Sequence, residues 1–222
     1  MLLGMSTEYF AIVGDVVSSK KIEERDAFQS RLQKACDQVN ATFADGIYAQ
    51  IKITKGIDEI SGILTKIENA YSITNVIFES IYPNLMRFAI VHGVLDTALE
   101  SRDATKIDGP AFHKAAELIA QLKKTKNLVK VQIYDELIDR LLNLQINSVF
   151  LLKKKWTKRQ FEVAILYKNL RNQKEVAKRL GIKQQTVSRI VKSANYDEIL
   201  ESEQSINEIL KEYQQRLLKE KT

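Results

Sequence analysis

The single cysteine, Cys36, has no partner for an internal disulfide, and two histidines, His92 and His113, add too few ligands for a structural zinc site. Proline is nearly missing: there are two in 222 residues, beside 45% hydrophobic and 8% aromatic residues. That composition and length suit one substantial buried core and one small one, hence two domains. No run approaches the ~20 apolar residues that a membrane span needs, and the opening MLLGM is too short for the apolar core of a signal peptide. The expectation is a cytoplasmic protein with no membrane partner and a reduced, packed Cys36.

Acidic residues are scarce in one stretch only. Residues 153–195 hold 13 Lys/Arg against 2 Asp/Glu, whereas residues 1–152 hold 17 against 19 and residues 196–222 hold 4 against 7. The net charge of +6 is therefore the balance of one basic block and two mildly acidic flanks. A block of this kind fits phosphate-backbone binding, or a solvated basic surface on an interaction module.

The residues from Asn172 to Lys192, NQKEVAKRLGIKQQTVSRIVK, favour the first alternative. Val176, Ala177 and Leu180 supply the inner face of a first helix, Gly181 tolerates the positive φ of a tight turn, and Val187 and Ile190 pin a second helix. This spacing predicts a helix-turn-helix. It leaves Gln184, Gln185, Thr186, Ser188, Arg189 and Lys192 outward for base edges and phosphates, with Lys178 on the first helix as a phosphate contact. The predicted partner is double-stranded DNA. A single such unit gathers few contacts, so a homodimer is expected.

The pattern before residue 152 switches between period 2 and period 3.6. It predicts strands at 9–17, 47–54, 59–67, 85–95 and 127–133. Helices are predicted at 23–43, with Phe28, Leu32, Ala35, Cys36 and Val39 inward, at 71–81, from Gly109-Pro110 onward, and at 135–152. Lys55-Gly56-Ile57-Asp58 reads as a hairpin connection. The order βαββαβαβα predicts an α+β domain, residues 8–152, with helices covering one sheet. The helix-turn-helix follows at 153–195. Residues 196–222 form an amphipathic helix whose stripe, Ile199, Ile206, Leu210, Tyr213 and Leu217, is expected to bury against the small domain or a second chain. Trp156, at the junction, is expected to be a packing anchor.

Four segments carry a family resemblance: AIVGDVVSSK, KGIDEISG, MRFAIVHGVLDT and DGPAFHKAAELI. They resemble, in this order, the palm of nucleotidyl and diguanylate cyclases, and with the C-terminal helix-turn-helix the whole is similar to the SatD family of bacterial proteins. The resemblance implies a ferredoxin-like, cyclase-like sheet. It also implies metal ligation by Asp15 and Asp58, with Glu59 and His113 beside them as ligand-binding residues and Mg²⁺ or a nucleotide as the cofactor admitted. Each residue has a plainer reading: Asp15 as a turn residue or helix N-cap, Asp58 as a hairpin turn residue, and His113, with His92, as packing rather than as the lining of one pocket.

Departures from the cyclase signatures argue against turnover. Gly56-Ile57-Asp58-Glu59 replaces Gly-Gly-Asp-Glu, His113 stands in place of Asn, and Glu117 in place of the Arg that steadies transferring phosphate. The expected protein is a transcriptional regulator whose front domain senses a nucleotide or small ligand, or only dimerises. The alternatives are a metal-dependent nucleotidyl cyclase or transferase with an appended DNA-binding domain, and a partner of RNA polymerase or another protein that uses the basic surface.

Overall fold

The β-branched runs of the front half pair into one sheet. In the computed structural model, which describes residues 8–56 and 58–220, β1 (Glu8–Val16) is its central strand. β1 pairs antiparallel with β3 (Glu59–Leu64) and with β4 (Met86–Val94). β2 (Ile47–Lys55) pairs antiparallel with β3, and β5 (Val129–Gln132) pairs parallel with β4, giving the order β2-β3-β1-β4-β5. With α1 (Arg25–Thr42) after β1 and α2 (Ala70–Ile81) after β3, the first four strands follow the ferredoxin-like βαββαβ path, and β5 extends it. The fold class is α+β, as the alternation of periods predicts.

Strand alternation divides the core. Ala11 and Val13 of β1, Ala89 and Val91 of β4 and Ile63 of β3 share an apolar layer with Ala111, Ala115 and Leu118 of α3 (Pro110–Leu122). Phe10, Ile12, Phe88 and Ile90 are buried on the opposite face. α1 buries Phe28, Leu32, Ala35, Cys36 and Val39, the positions its spacing predicts. Burial pushes the Cys36 thiol up to about 12, which keeps it a packed, protonated side chain. α3 begins with Pro110 directly after Gly109, whose φ of 154° and close approach to the strand end exclude a side chain: a Cβ there would lie 2.9 Å from the Leu95 Cα and the Asp96 N.

Five α-helices follow among the described residues: α4 (Glu136–Lys154), α5 (Lys158–Leu170), α6 (Gln173–Leu180), α7 (Gln184–Ser193) and α8 (Tyr196–Glu220). Two compact units result. One holds the sheet, its helices, α4 up to Leu144 and α8 from Asn207 onward, and the other is the all-helical stretch Gln145–Ile206. The division falls inside α4 and inside α8, not at the expected positions 152/153 and 195/196. Among the described residues, no helix is long and apolar enough to cross a membrane.

The stripe of α8 differs in its partner from the sequence expectation. Its second half belongs to the sheet-bearing unit: Gln214 Oε1 accepts the Ile67 N–H at 2.8 Å, Tyr213 donates its hydroxyl to the Ile133 carbonyl at 3.0 Å, and Arg216 pairs with Asp135. Tyr213 and Gln214 are buried. The amphipathic period states that a stripe is covered, and the polar partners that choose the cover lie about 80 and 147 residues away in the chain. A fragment ending at Leu152 lacks all three contacts and strands a buried N–H, a loss of about 1–3 kcal/mol for that group alone. It is expected to melt below the sheet-bearing unit of the full chain, and an added peptide spanning residues 205–220 is expected to raise its melting temperature; equal melting with and without the peptide is the contrary result.

Burial also pushes the Tyr213 phenol from 10.0 to about 12. A phenol held neutral in the folded chain contributes stability that is complete below pH 10 and is lost as the pH rises from 10 towards 12. Alkaline denaturation is therefore expected to be shallower over that window in Tyr213→Phe than in the wild type, alongside a pH-independent loss of about 0.5–1.5 kcal/mol from the missing hydrogen bond.

Candidate functional site

The register of β1 lines up three charged residues. Asp15 pairs with Glu59 on β3 and with Arg87 on β4, so all three side chains leave the same face of the sheet. Two carboxylates directly opposite repel, and two cations offset them. The Arg87 guanidinium lies 3.1 Å from Asp15 Oδ2, and the ammonium of Lys123, just beyond the C-terminus of α3, lies 2.8 Å from Asp15 Oδ1. Glu59 accepts from the Thr54 hydroxyl at 3.3 Å.

These residues floor a cleft of about 470 Å³ under α3. Asp15, Thr54, Glu59 and Ser61 form its floor, Phe112, His113, Ile119 and Lys123 its α3 wall, and Thr105 and Asp108 its loop rim. Asp108 fixes the rim. Its Oδ1 accepts the Gly109 N–H at 2.8 Å, its carboxylate lies 3.2 Å from His113 Nε2, and its carbonyl accepts from Asp96 N–H. The Gly109 N–H bond is the main reason the Asp108 carboxyl is held below its ordinary range, and the His113 contact adds to it. The cleft thus presents two side-chain cations or donors, Lys123 and His113, opposite an acidic floor.

Asp15, Glu59 and His113 line one cleft, while the other candidates are placed elsewhere. Asp15 does not cap α1: Glu24 precedes that helix, and the Asp15 carboxylate is held by the two cations. Asp58 sits in the turn before β3, where its carbonyl accepts the Val16 N–H at 2.7 Å and its Oδ1 is buried without a hydrogen-bond partner. Ile57, whose β-branched side chain bears on phosphate approach, lies outside the described residues. His92 does not share a pocket with His113. It is buried on the opposite face of the sheet, stacked on Phe10 with ring centroids 4.6 Å apart. Glu117 pairs at 2.9 Å with Lys114 on the exposed surface of α3 and does not line the cleft. Arg87 and Lys123 escape a sequence reading, because only strand register and helix docking bring them to Asp15.

The donors present do not fit a two-metal site. Both Asp15 oxygens already face cations, and among the described residues no three His, Cys, Asp or Glu side chains converge to hold an ion.

The helical unit is built by local capping. Thr157 and Gln160 cap α5 reciprocally: Thr157 Oγ1 accepts the Gln160 N–H at 3.1 Å, and Gln160 Oε1 accepts the Thr157 N–H at 2.9 Å. Asn172 Oδ1 accepts the N–H groups of Lys174 and Glu175 and so starts α6. Gly181, at φ 62°, ends α6, and α7 begins three residues later. Val163 and Ala164 of α5, Val176 and Ala177 of α6, and Val187 and Val191 of α7 are buried where these helices meet. Val191 takes the inward place expected of Ile190, which is half-buried. Trp156 is buried and donates its Nε1–H to the Ala194 carbonyl at 2.8 Å, the anchor role expected of it.

Outward on α7 stand Gln184, Gln185, Ser188, Arg189 and Lys192, all exposed, with Thr186 half-buried; Lys178 is exposed on α6. Of the basic block, Lys153 is buried against Glu203, and Arg159 pairs with Glu162 at 2.6 Å.

The fold and its two candidate surfaces define an α+β domain joined to a basic, all-helical unit. The chain matches the SatD family over residues 9–216, a span that runs through both units, and it belongs to that family. No curated protein matches it. Among solved structures it is similar to a bacterial light-regulated adenylyl cyclase at a TM-score of 0.40 and 13% identity, over 56% of this chain and 43% of that one. A second structure of a bacterial light-regulated adenylyl cyclase gives 0.33 and 13%, over 56% of this chain and 74% of that one. A regulator of polyketide synthase expression from Bifidobacterium adolescentis gives 0.28 and 13%, over 93% and 88%. The chain spans less than half of the first cyclase chain.

Asp15→Asn removes the charge that two cations share and leaves Arg87, which is mostly buried, without its carboxylate partner. The expected loss is about 1–3 kcal/mol of folding stability by chemical denaturation, without added metal. Stability equal to that of the wild type would show that the cluster holds nothing in place.

Proposed function

We propose that this SatD-family chain is a DNA-binding transcriptional regulator, in which α6 and α7 act as a helix-turn-helix and α7 enters the major groove. The observation that carries this reading is the outward face of α7. It holds five exposed polar or basic side chains, Gln184, Gln185, Ser188, Arg189 and Lys192, and no carboxylate. The Gln amides and the Arg fork match the donor and acceptor pattern of base edges, while Lys178, Lys174 and Arg179 on α6 are exposed for phosphates. The excess of 13 Lys/Arg over 2 Asp/Glu across residues 153–195 supplies the sequence-independent part of the affinity.

The sheet-bearing unit is, in this reading, the ligand-responsive half. Its cleft has the size and the mixed donors and acceptors for a small polar molecule, with Lys123 and His113 facing an anionic group and Glu59 and Ser61 facing hydroxyl or amide donors. The family match through both units supports treating them as one device.

Duplex DNA binding by the full chain is expected to weaken at least about 100-fold between 50 and 200 mM salt, the slope of roughly four phosphate contacts. Arg189→Ala is expected to erode discrimination between selected and random duplexes by about 10-fold or more, whereas Lys178→Ala weakens both alike and lowers the salt slope by about one. Titrations that show no salt dependence, or equal losses on both duplexes for both variants, would reject the assignment of α7 as the reading helix.

A further inference from the structure

Four of the five large hydrophobic side chains that stand exposed among the described residues share one surface: Tyr134, Leu137, Leu141 and Leu144 are 67%, 66%, 43% and 71% exposed. The fifth, Leu218, lies elsewhere on α8. The spacing of 137, 141 and 144 makes a ridge along the first half of α4. Beside the ridge, between α4 and β5, runs a groove of about 920 Å³ floored by Val131 and Gln132. A concentration of this kind marks an interaction surface, since scattered apolar exposure is the ordinary state. Tyr134 sharpens the point. Its backbone is held at φ 61°, a left-handed conformation that a bulky residue adopts only at a cost, and the result is an aromatic ring facing solvent.

The chemistry of the surface narrows its occupant. β5 is the edge strand of the sheet, yet it offers no ladder to a foreign strand at this point. Asn143 accepts the Val131 N–H and donates to the Val131 carbonyl, both at 2.8 Å, and Asp139 accepts the Ile133 N–H at 2.7 Å. An incoming partner therefore meets side chains rather than open backbone, which suits a helix. The charged residues around the groove are balanced, Lys130 and Arg140 against Glu136 and Asp139, and Glu136 and Arg140 pair with each other at 3.8 Å. A face that is neutral overall, with both signs interleaved, selects against nucleic acid and against strongly charged proteins. It complements a copy of itself.

We infer that the α4–β5 surface is an isologous dimer interface, in which the leucine ridge of α4 in one copy seats in the groove beside α4 of a second copy. A two-fold axis satisfies both grooves at once, because ridge and groove lie on the same patch. The inference does not rest on the DNA-binding reading, since every residue it uses lies in the sheet-bearing unit.

The test is the oligomeric state of the full chain by sedimentation equilibrium. The wild type is expected to be a dimer at micromolar concentrations. Leu141→Glu and, separately, Leu144→Lys are expected to raise the dissociation constant at least about 30-fold while leaving the far-ultraviolet circular dichroism unchanged, because both side chains are already in contact with solvent. A wild-type chain that stays monomeric up to about 100 μM overturns the inference, and so does a dimer that either well-folded variant leaves intact. Loss of DNA affinity plays no part in either outcome, so failure here leaves the role of α7 standing.

Discussion

The register of β1 is the constraint on which the sheet-bearing unit depends. This strand is central, paired on both sides, and buried over most of its length, so a slip of one residue would turn Ala11 and Val13 out of the layer beneath α3 and put Phe10 and Ile12 there instead. The same register sets Asp15 between Glu59 and Arg87. One hydrophobic alternation therefore fixes both the core and the charged floor of the cleft. Without Arg87 and Lys123 that floor would be two facing carboxylates, and with them it is an ion cluster that holds the C-terminal end of α3 against the sheet.

Polar side chains serve as ties in this unit. Gln214 takes the Ile67 N–H, Tyr213 the Ile133 carbonyl, and Asn143 both polar groups of Val131. A buried peptide group without a partner is costly, so each of these bonds specifies where α8 or α4 lies with a precision that apolar contact alone does not give. The bonds of Asn143, with that of Asp139 to Ile133, also occupy the edge of β5, which leaves the apolar face of α4 as the surface on offer. Closure of the backbone at Val131 and Ile133 and exposure of leucines on one patch are two sides of the same arrangement: this edge is covered by side chains and offers an apolar face beside them.

The helical unit follows a different logic, almost wholly local. Thr157, Asn172 and Gly181 start or stop helices through bonds within a few residues, and small Ala164 and Ala177 let neighbouring helices approach. Its excess of cations repels itself in the absence of a polyanion, although Lys153 and Arg159 are taken up by Glu203 and Glu162. That excess of positive charge is what links the geometry of α6 and α7 to the proposed role at DNA.

The sequence by itself determined the elements, the α+β class, the family resemblance, the basic block and the turn at Gly181, because periodicity, caps and positive-φ glycine act over a few residues. The inward set of α1 and the anchoring of Trp156 belong to the same local physics. Tertiary structure alone decided which cations meet Asp15, that His92 and His113 lie on opposite faces of the sheet, that Val191 rather than Ile190 turns fully inward, and that the second half of α8 joins the sheet-bearing unit. These outcomes depend on strand register and on hydrogen bonds between residues as far apart as Ile67 and Gln214, and such pairings leave no periodic trace along the chain.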